Sequence, residues 1–146
     1  MFRDRTMKTG FLAASLVLLA GLTGPDLARA EMMTACQPEI AQYCGGVSKG
    51  RGRIAACLVG RMDQLSAACR PDVQATMKSP FIPGDMRSIF QPGFNAPVPA
   101  SCAPAARRYC AGVTSQGRVF ACLYAYSGQA GGACTADARA AVAEGS

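Results

Sequence analysis

Eight cysteines in two sets of four are the residues of this sequence that could carry chemistry. Successive members are 8, 13 and 12 positions apart in the first set and 8, 12 and 12 apart in the second. Their thiols could form disulfides, hold a soft metal ion such as Cu(I), or act as a redox buffer. The near-equal spacing indicates one small module written twice. The two sets are Cys36, Cys44, Cys57 and Cys69, and Cys102, Cys110, Cys122 and Cys134.

The N-terminal sequence indicates the compartment of those thiols. Basic residues precede an apolar run at residues 10–22, and Ala28-Arg29-Ala30 fits the small-x-small rule of a signal peptidase site. An uncleaved membrane anchor is the alternative, but a spanning helix needs about 20 apolar residues. We therefore predict a signal peptide at residues 1–30 and a periplasmic or secreted mature chain. In such an oxidising compartment, evenly spaced cysteines are typical of a disulfide framework.

Several classes of enzyme site are excluded by composition. The chain has no histidine, so a Ser-His-Asp or Cys-His site and the histidine-containing zinc sites cannot form. Neither a Cys-x-x-Cys redox motif nor a phosphate-binding glycine loop occurs. The Met32-Met33 pair could recruit copper, but two thioethers are a weak pattern. We expect no catalytic residue, no cofactor, no resident metal and no enzyme activity.

The charge of the chain is mildly basic, with 15 Lys or Arg, 9 Asp or Glu and a net charge of +6. Nucleic-acid binders cluster such charges among stacking aromatic side chains. Here the basic residues are spread from Lys49 to Arg118, and tryptophan is absent. We predict a solvated basic surface and no nucleic-acid partner, with an acidic partner as the alternative. No segment after residue 30 is long and apolar enough to span a bilayer.

The two sets of cysteines lie in matching sequence. Pro38 corresponds to Pro104 and Tyr43 to Tyr109, and an Ala-Cys-Leu triplet surrounds the third cysteine of each set. A duplicated pattern of this kind predicts two copies of one supersecondary unit. The predicted division is a signal peptide at 1–30, a first cysteine-rich repeat at 31–72, a Pro-rich connecting segment at 73–100 and a second repeat at 101–146.

The periodicity of each copy predicts a helical hairpin. Cys36, Ile40 and Cys44 recur every four residues, which places them on one side of a short helix. Glycines then break the helix and predict a turn. A second apolar stripe runs from Ile54 through Leu65 to Cys69 at helical offsets. Two such stripes facing each other form an αα-hairpin, so we predict an all-α protein.

Antiparallel hairpin geometry predicts a nested pairing of the cysteines. The inner two flank the turn and the outer two lie away from it. The outer cysteine lies about 12 Å beyond the inner one on the first helix and about 18 Å on the second, whereas a disulfide tolerates Cα separations of about 4.4–6.8 Å. A bend near residues 62–63, or near 128–132 in the second copy, must absorb the difference. The predicted pairs are Cys36–Cys69, Cys44–Cys57, Cys102–Cys134 and Cys110–Cys122.

Residues 52–58 and 63–69 carry a family resemblance. Their sequences, Gly-Arg-Ile-Ala-Ala-Cys-Leu and Asp-Gln-Leu-Ser-Ala-Ala-Cys, resemble the cysteine-rich repeat of the Golgi apparatus protein 1 family, which also occurs in short secreted bacterial proteins. The resemblance is close over residues 34–70 and weaker over 100–137, where residues 126–130 depart from the usual Asp-x-Leu-Ser segment. It implies a disulfide-bonded extracytoplasmic helical repeat whose better-known relatives bind proteins, and it supplies no catalytic residue.

The connecting segment, residues 73–100, is rich in proline and resists regular structure. It also contains several large apolar side chains. These either cover exposed faces of the two hairpins or form a binding surface. Further helices are predicted at residues 72–78 and 135–144 and one turn at 85–90. The large apolar residues are Phe81, Ile82, Ile89, Phe90 and Phe94.

Two functional hypotheses of different classes follow. The favoured one is a non-enzymatic periplasmic or secreted module with structural disulfides, which binds a protein or a cell-envelope component. The alternative is a soft-metal (copper) store or a thiol redox buffer. An enzyme that uses a groove between the repeats is the third class and has the least support.

Overall fold

The computed structural model describes residues 25–79, 82, 84–91 and 93–145, where it contains only helices and turns. The apolar run of the predicted signal peptide lies outside these residues, so its cleavage stays a prediction. No helix of the described residues has the length and apolar character needed to cross a membrane. The helices are α1 (Pro25–Ala35), α2 (Gln37–Tyr43), α3 (Arg53–Gly60), α4 (Cys69–Met77), α5 (Gly84–Ser88), α6 (Ala103–Tyr109), α7 (Gln116–Ala125) and α8 (Gly132–Glu144).

The two halves of the chain share one helix order, and the predicted all-α class is confirmed. In the N-terminal half, α2 and α3 form the hairpin and α4 follows it. In the C-terminal half, α6, α7 and α8 take the same places. A proline in the first turn begins both α2 and α6, where no intrahelical donor is lost. The predicted helix at 135–144 lies within α8, and the one at 72–78 overlaps α4, which ends at Met77.

The sequence pattern predicts one apolar stripe along the second helix of the hairpin. In the structure this stripe is divided between two helices, so the prediction of a continuous stripe is wrong. Helix α3 ends at Gly60, a 3₁₀ turn follows at Met62–Gln64, and Leu65 is extended with ψ 144°. Because the chain bends here, Cys69 starts a new helix. In the C-terminal half, residues 126–131 make the corresponding break between α7 and α8. These bends lie at the positions where the nested disulfides required them.

The halves pack against each other through α3 and α7, which form the most extensive helix contact of the described residues. Gly60 makes this close approach possible. A Cβ there would lie 3.1 Å from the Cβ of Cys122 and 3.2 Å from the carbonyl of Arg118. Small side chains at Ala56 and Ala121, at corresponding positions of the two helices, are buried here. The hairpins therefore share one hydrophobic core.

The connecting segment covers the C-terminal half. Ile82 and Ile89 are buried, and Phe94 packs edge-to-face on Phe120 with ring centroids 5.4 Å apart. The segment approaches Gly117 so closely that a Cβ at this position would collide with the carbonyl of Ile89. The predicted turn at 85–90 overlaps α5. Of the predicted apolar residues, Phe81 lies outside the described part of the chain, and Phe90 is half-buried.

Candidate functional site: disulfide framework, interface and basic loop

All eight cysteines form disulfides, and the pairs are those that hairpin geometry predicts. The Cα–Cα distances are 4.7 Å and 4.6 Å for the outer pairs and 6.0 Å and 5.9 Å for the inner pairs. None of the cysteines, all of which lie in the described residues, is free. Each outer bridge joins the residue before the first hairpin helix to the helix after the bend. The outer pairs are Cys36–Cys69 and Cys102–Cys134; the inner pairs are Cys44–Cys57 and Cys110–Cys122.

A buried carboxylate supports the bend of the N-terminal half. Glu39 on α2 is 7% exposed, and its Oε1 accepts a hydrogen bond from Ser66 N at 3.0 Å. Ser66 Oγ in turn accepts from Cys69 N at 3.2 Å, so Ser66 caps the turn that leads into α4. The Ser66 side chain and then its backbone N–H lower the pKa of Glu39, against the opposing effect of burial. The C-terminal half has Ala105 and Gly131 at these two positions and lacks this support.

The interface between the halves has approximate two-fold symmetry. Arg61 and Tyr126 each stand four residues after an inner cysteine. Arg61 Nη2 donates to Tyr109 O at 2.9 Å, and Tyr126 Oη donates to Tyr43 O at 3.0 Å. Each side chain also lies on the tyrosine ring of its own half: Arg61 is 5.7 Å from the Tyr43 centroid, and Tyr126 stacks on Tyr109 at 4.7 Å. Each half thus supplies one donor and one acceptor.

A second pair of contacts repeats the symmetry. Gln64 and Gln129 each stand seven residues after an inner cysteine. Gln64 Nε2 donates to Gly112 O at 3.4 Å, and Gln129 Nε2 donates to Gly46 O at 2.7 Å. Arg61 Nη1 adds a bond to Ala111 O at 2.6 Å. Side-chain donors from each bend therefore bind the turn of the opposite half.

The symmetry fails where the two copies differ in sequence. Arg118 crosses the interface and pairs with Asp63. The corresponding Arg53 cannot do so, because the position matching Asp63 is Gly128. Arg53 instead donates within its own half, to Ser48 O at 3.0 Å and Lys49 O at 3.1 Å.

These Arg53 contacts hold an exposed loop, residues 48–52, which we call the basic loop. Three successive residues have positive φ: Gly50 at 96°, Arg51 at 51° and Gly52 at 70°. Arg51 is the one residue other than glycine with positive φ in the described chain. Tyr124 Oη of the opposite half donates to Arg51 O at 2.8 Å. A positive φ is costly for a residue with a side chain and is kept only where the surrounding structure holds it. Here the contacts of Arg53 and Tyr124, one from each half, hold the loop. The side chains of Lys49 and Arg51 remain exposed.

The sequence patterns pointed to the cysteines and missed the interface residues. The sequence did contain a signal for these residues. Long polar side chains recur at equal distances after Cys57 and Cys122, as Arg61 and Tyr126 and as Gln64 and Gln129. The described residues contain no group of three or more His, Cys, Asp or Glu side chains that could hold a metal ion. In their disulfide state the cysteines offer no thiolate ligand.

Comparison with known proteins gives one family. Residues 28–66 match the family model described as "Cysteine rich repeat". No curated protein matches the chain, and no solved structure does. The match covers α1 to α3 and ends at Ser66, so a second family repeat at residues 101–146 and a bacterial origin stay predictions. Over residues 28–66, the chain is therefore similar to the cysteine rich repeat family.

Proposed function

We propose that this chain is a non-enzymatic periplasmic or secreted module that binds an acidic surface of another protein through its basic loop. The observation that carries the proposal is the loop itself. Lys49 and Arg51 are exposed on a strained backbone that both halves of the protein hold in place. A pre-organised loop loses little conformational entropy on binding, and loops on a rigid scaffold are common binding elements.

The positive charge of the basic loop favours an acidic partner. No acidic residue occurs between Gln42 and Met62, so the field of Lys49 and Arg51 is not opposed along the chain. The corresponding turn of the C-terminal half, residues 114–117, is one residue shorter and uncharged. The binding surface proposed here is therefore particular to the N-terminal half. Binding through exposed charges should weaken as salt rises.

The cysteines have a structural role in this proposal. Modules with so small a core need covalent staples, and each bridge contributes about 2–4 kcal/mol. Intact mass of the native chain, after alkylation without reductant, tests this role. We expect no alkylated cysteine and four linkages on digestion. Free thiols together with copper or zinc would instead support the metal-store alternative.

A photo-crosslinking experiment tests the binding surface. A photoreactive residue replaces Ser48 in the basic loop, and the matched control carries it at Thr114, the exposed corresponding position of the C-terminal half. After irradiation in the producing cells, we expect a discrete crosslinked protein with an acidic contact peptide from Ser48 only. Lys49→Gln with Arg51→Asn should abolish it, since Asn tolerates positive φ. Equal crosslinking from both positions, or no effect of the neutralised loop, would refute the proposal.

A further inference from the structure

A groove lies between the end of α4 and the end of α5 and shares no described lining residue with the basic loop. Its volume is about 550 Å³, which is within the range of about 300–1,000 Å³ that small-molecule sites occupy. Its lining residues come from α4 with Lys78 after it, and from α5 with the turn that follows it. The groove is lined by Gln74, Met77, Lys78, Arg87, Phe90 and Gln91.

The described lining residues carry charge of one sign. Lys78 and Arg87 are both cationic and exposed, and none of the other described residues that line the groove is acidic. Arg87 Nε donates to Ile82 O at 3.1 Å, which anchors the guanidinium group to the connecting segment. Gln74 and Gln91 add amide donors at the rim. The groove is therefore complementary to an anionic group.

The same groove has an apolar part. Met77 and Phe90 are half-buried and pack against the core from its edge. A thioether and an aromatic ring that line the same groove suit an alkyl chain or other flexible apolar group.

We propose that this groove binds a free anionic amphiphile, whose acid group lies between Lys78 and Arg87 and whose apolar chain lies on Met77 and Phe90. A small inorganic anion would leave the apolar surface uncovered, and a neutral apolar molecule would leave both cations unused. The groove has room for one small molecule, which favours a monomeric amphiphile over a lipid held in a bilayer. This site is independent of the proposed protein-binding loop, since the two share no residue.

Calorimetric titration of the disulfide-bonded chain with decanoate tests the site. We expect saturable binding of one molecule of decanoate per chain. Decyltrimethylammonium has the same chain with the opposite charge, and acetate has the acid group without the chain; both should bind at least about tenfold more weakly. Equal binding of the cationic amphiphile, or no saturable binding of decanoate, would overturn the proposal. Binding to phosphatidylglycerol vesicles without binding of decanoate would indicate a lipid held in a bilayer and would refute the proposal of a free amphiphile.

Charge variants locate the binding. Lys78→Gln and Arg87→Gln should each weaken decanoate binding about tenfold, because each removes a charge-assisted contact. Gln91→Glu should weaken it as well, by placing an anion in the groove. Arg107→Gln, an exposed cation of α6, is the control and should leave the affinity unchanged. Thermal melting of every variant shows whether it is folded, and unchanged affinity in folded groove variants would refute the assignment.

Discussion

The Tyr126 hydroxyl donates a hydrogen bond to the backbone carbonyl of Tyr43 at 3.0 Å, although 83 positions of sequence separate the two residues. Arg61 makes the corresponding bond to the carbonyl of Tyr109 at 2.9 Å. The contact joins the turn of one hairpin to the bend of the other. We therefore expect the two hairpins to unfold as one unit rather than as independent modules, and the stability of the protein to depend on these cross-contacts.

Tyr126→Phe should lower the free energy of unfolding by about 1 kcal/mol. The substitution keeps the stacked ring but leaves the Tyr43 carbonyl without this donor, and a typical neutral hydrogen bond contributes about that amount. Urea unfolding with the disulfides intact measures it. Tyr109→Phe is the matched control, because the Tyr109 hydroxyl takes part in no hydrogen bond within the described residues. Equal effects of the two substitutions would contradict the role assigned to the Tyr126 hydroxyl.

Exchange of Arg61 and Tyr126 tests the approximate two-fold symmetry. Tyr126→Arg alone should be destabilising, because it buries a second guanidinium at an interface that already holds Arg61. Adding Arg61→Tyr restores one cation and one tyrosine in swapped places. We expect the double variant to recover at least about 1 kcal/mol relative to Tyr126→Arg. If the losses of unfolding free energy from Tyr126→Arg and Arg61→Tyr simply add in urea unfolding, the two positions are not equivalent.

Gly60→Ala should destabilise the protein, although alanine is favoured over glycine in a helix by about 1 kcal/mol. The new methyl group would meet the Cβ of Cys122 and the carbonyl of Arg118 within 3.2 Å, and overpacking costs about 1–3 kcal/mol. Gly128→Ala is the control, because nothing lies within 4 Å of its Cβ position. The change in melting temperature should be opposite in sign, or clearly different, for the two variants. A raised melting temperature of Gly60→Ala would contradict the close approach of α3 and α7.

Glu39 should make the protein sensitive to acid. Because its pKa is lowered in the folded state, its contribution to stability is present above the ordinary glutamate pKa of about 4.3. That contribution is lost as pH falls through the lower folded value. Glu39→Gln should therefore flatten the decline of urea stability between neutral and acidic pH, while the exposed Glu144→Gln should not. An unchanged profile for Glu39→Gln would contradict the assignment.

The outer disulfides should contribute more than the inner ones. The bridge Cys36–Cys69 spans 33 residues and Cys44–Cys57 spans 13, so loop entropy alone favours the outer bridge by about 0.8 kcal/mol. Replacing each pair by alanine and comparing urea unfolding measures the difference. A larger loss from the inner pair would indicate that residual structure in the unfolded chain dominates.

The local pattern of the sequence was enough for the hairpin helices and the positions of their bends, but it did not predict α1. The four-residue spacing of Cys36, Ile40 and Cys44 predicts α2, and the length mismatch between the hairpin arms predicts the bend near Met62. The continuous stripe to Cys69 was misleading. Helical periodicity records which residues are buried, and Leu65 is buried from extended backbone rather than from a helix.

The sequence by itself determined what depends on neighbours along the chain: the all-α class, the duplicated cysteine module and the side of each hairpin on which its cysteines lie. The tertiary structure alone decided the interface between the halves, the carboxylate of Glu39 beside Ser66 and the basic loop held by Tyr124. Each of these needs partners from distant parts of the chain. Hydrogen bonding and close packing across such distances leave no period in the sequence, because they depend on how the two hairpins dock.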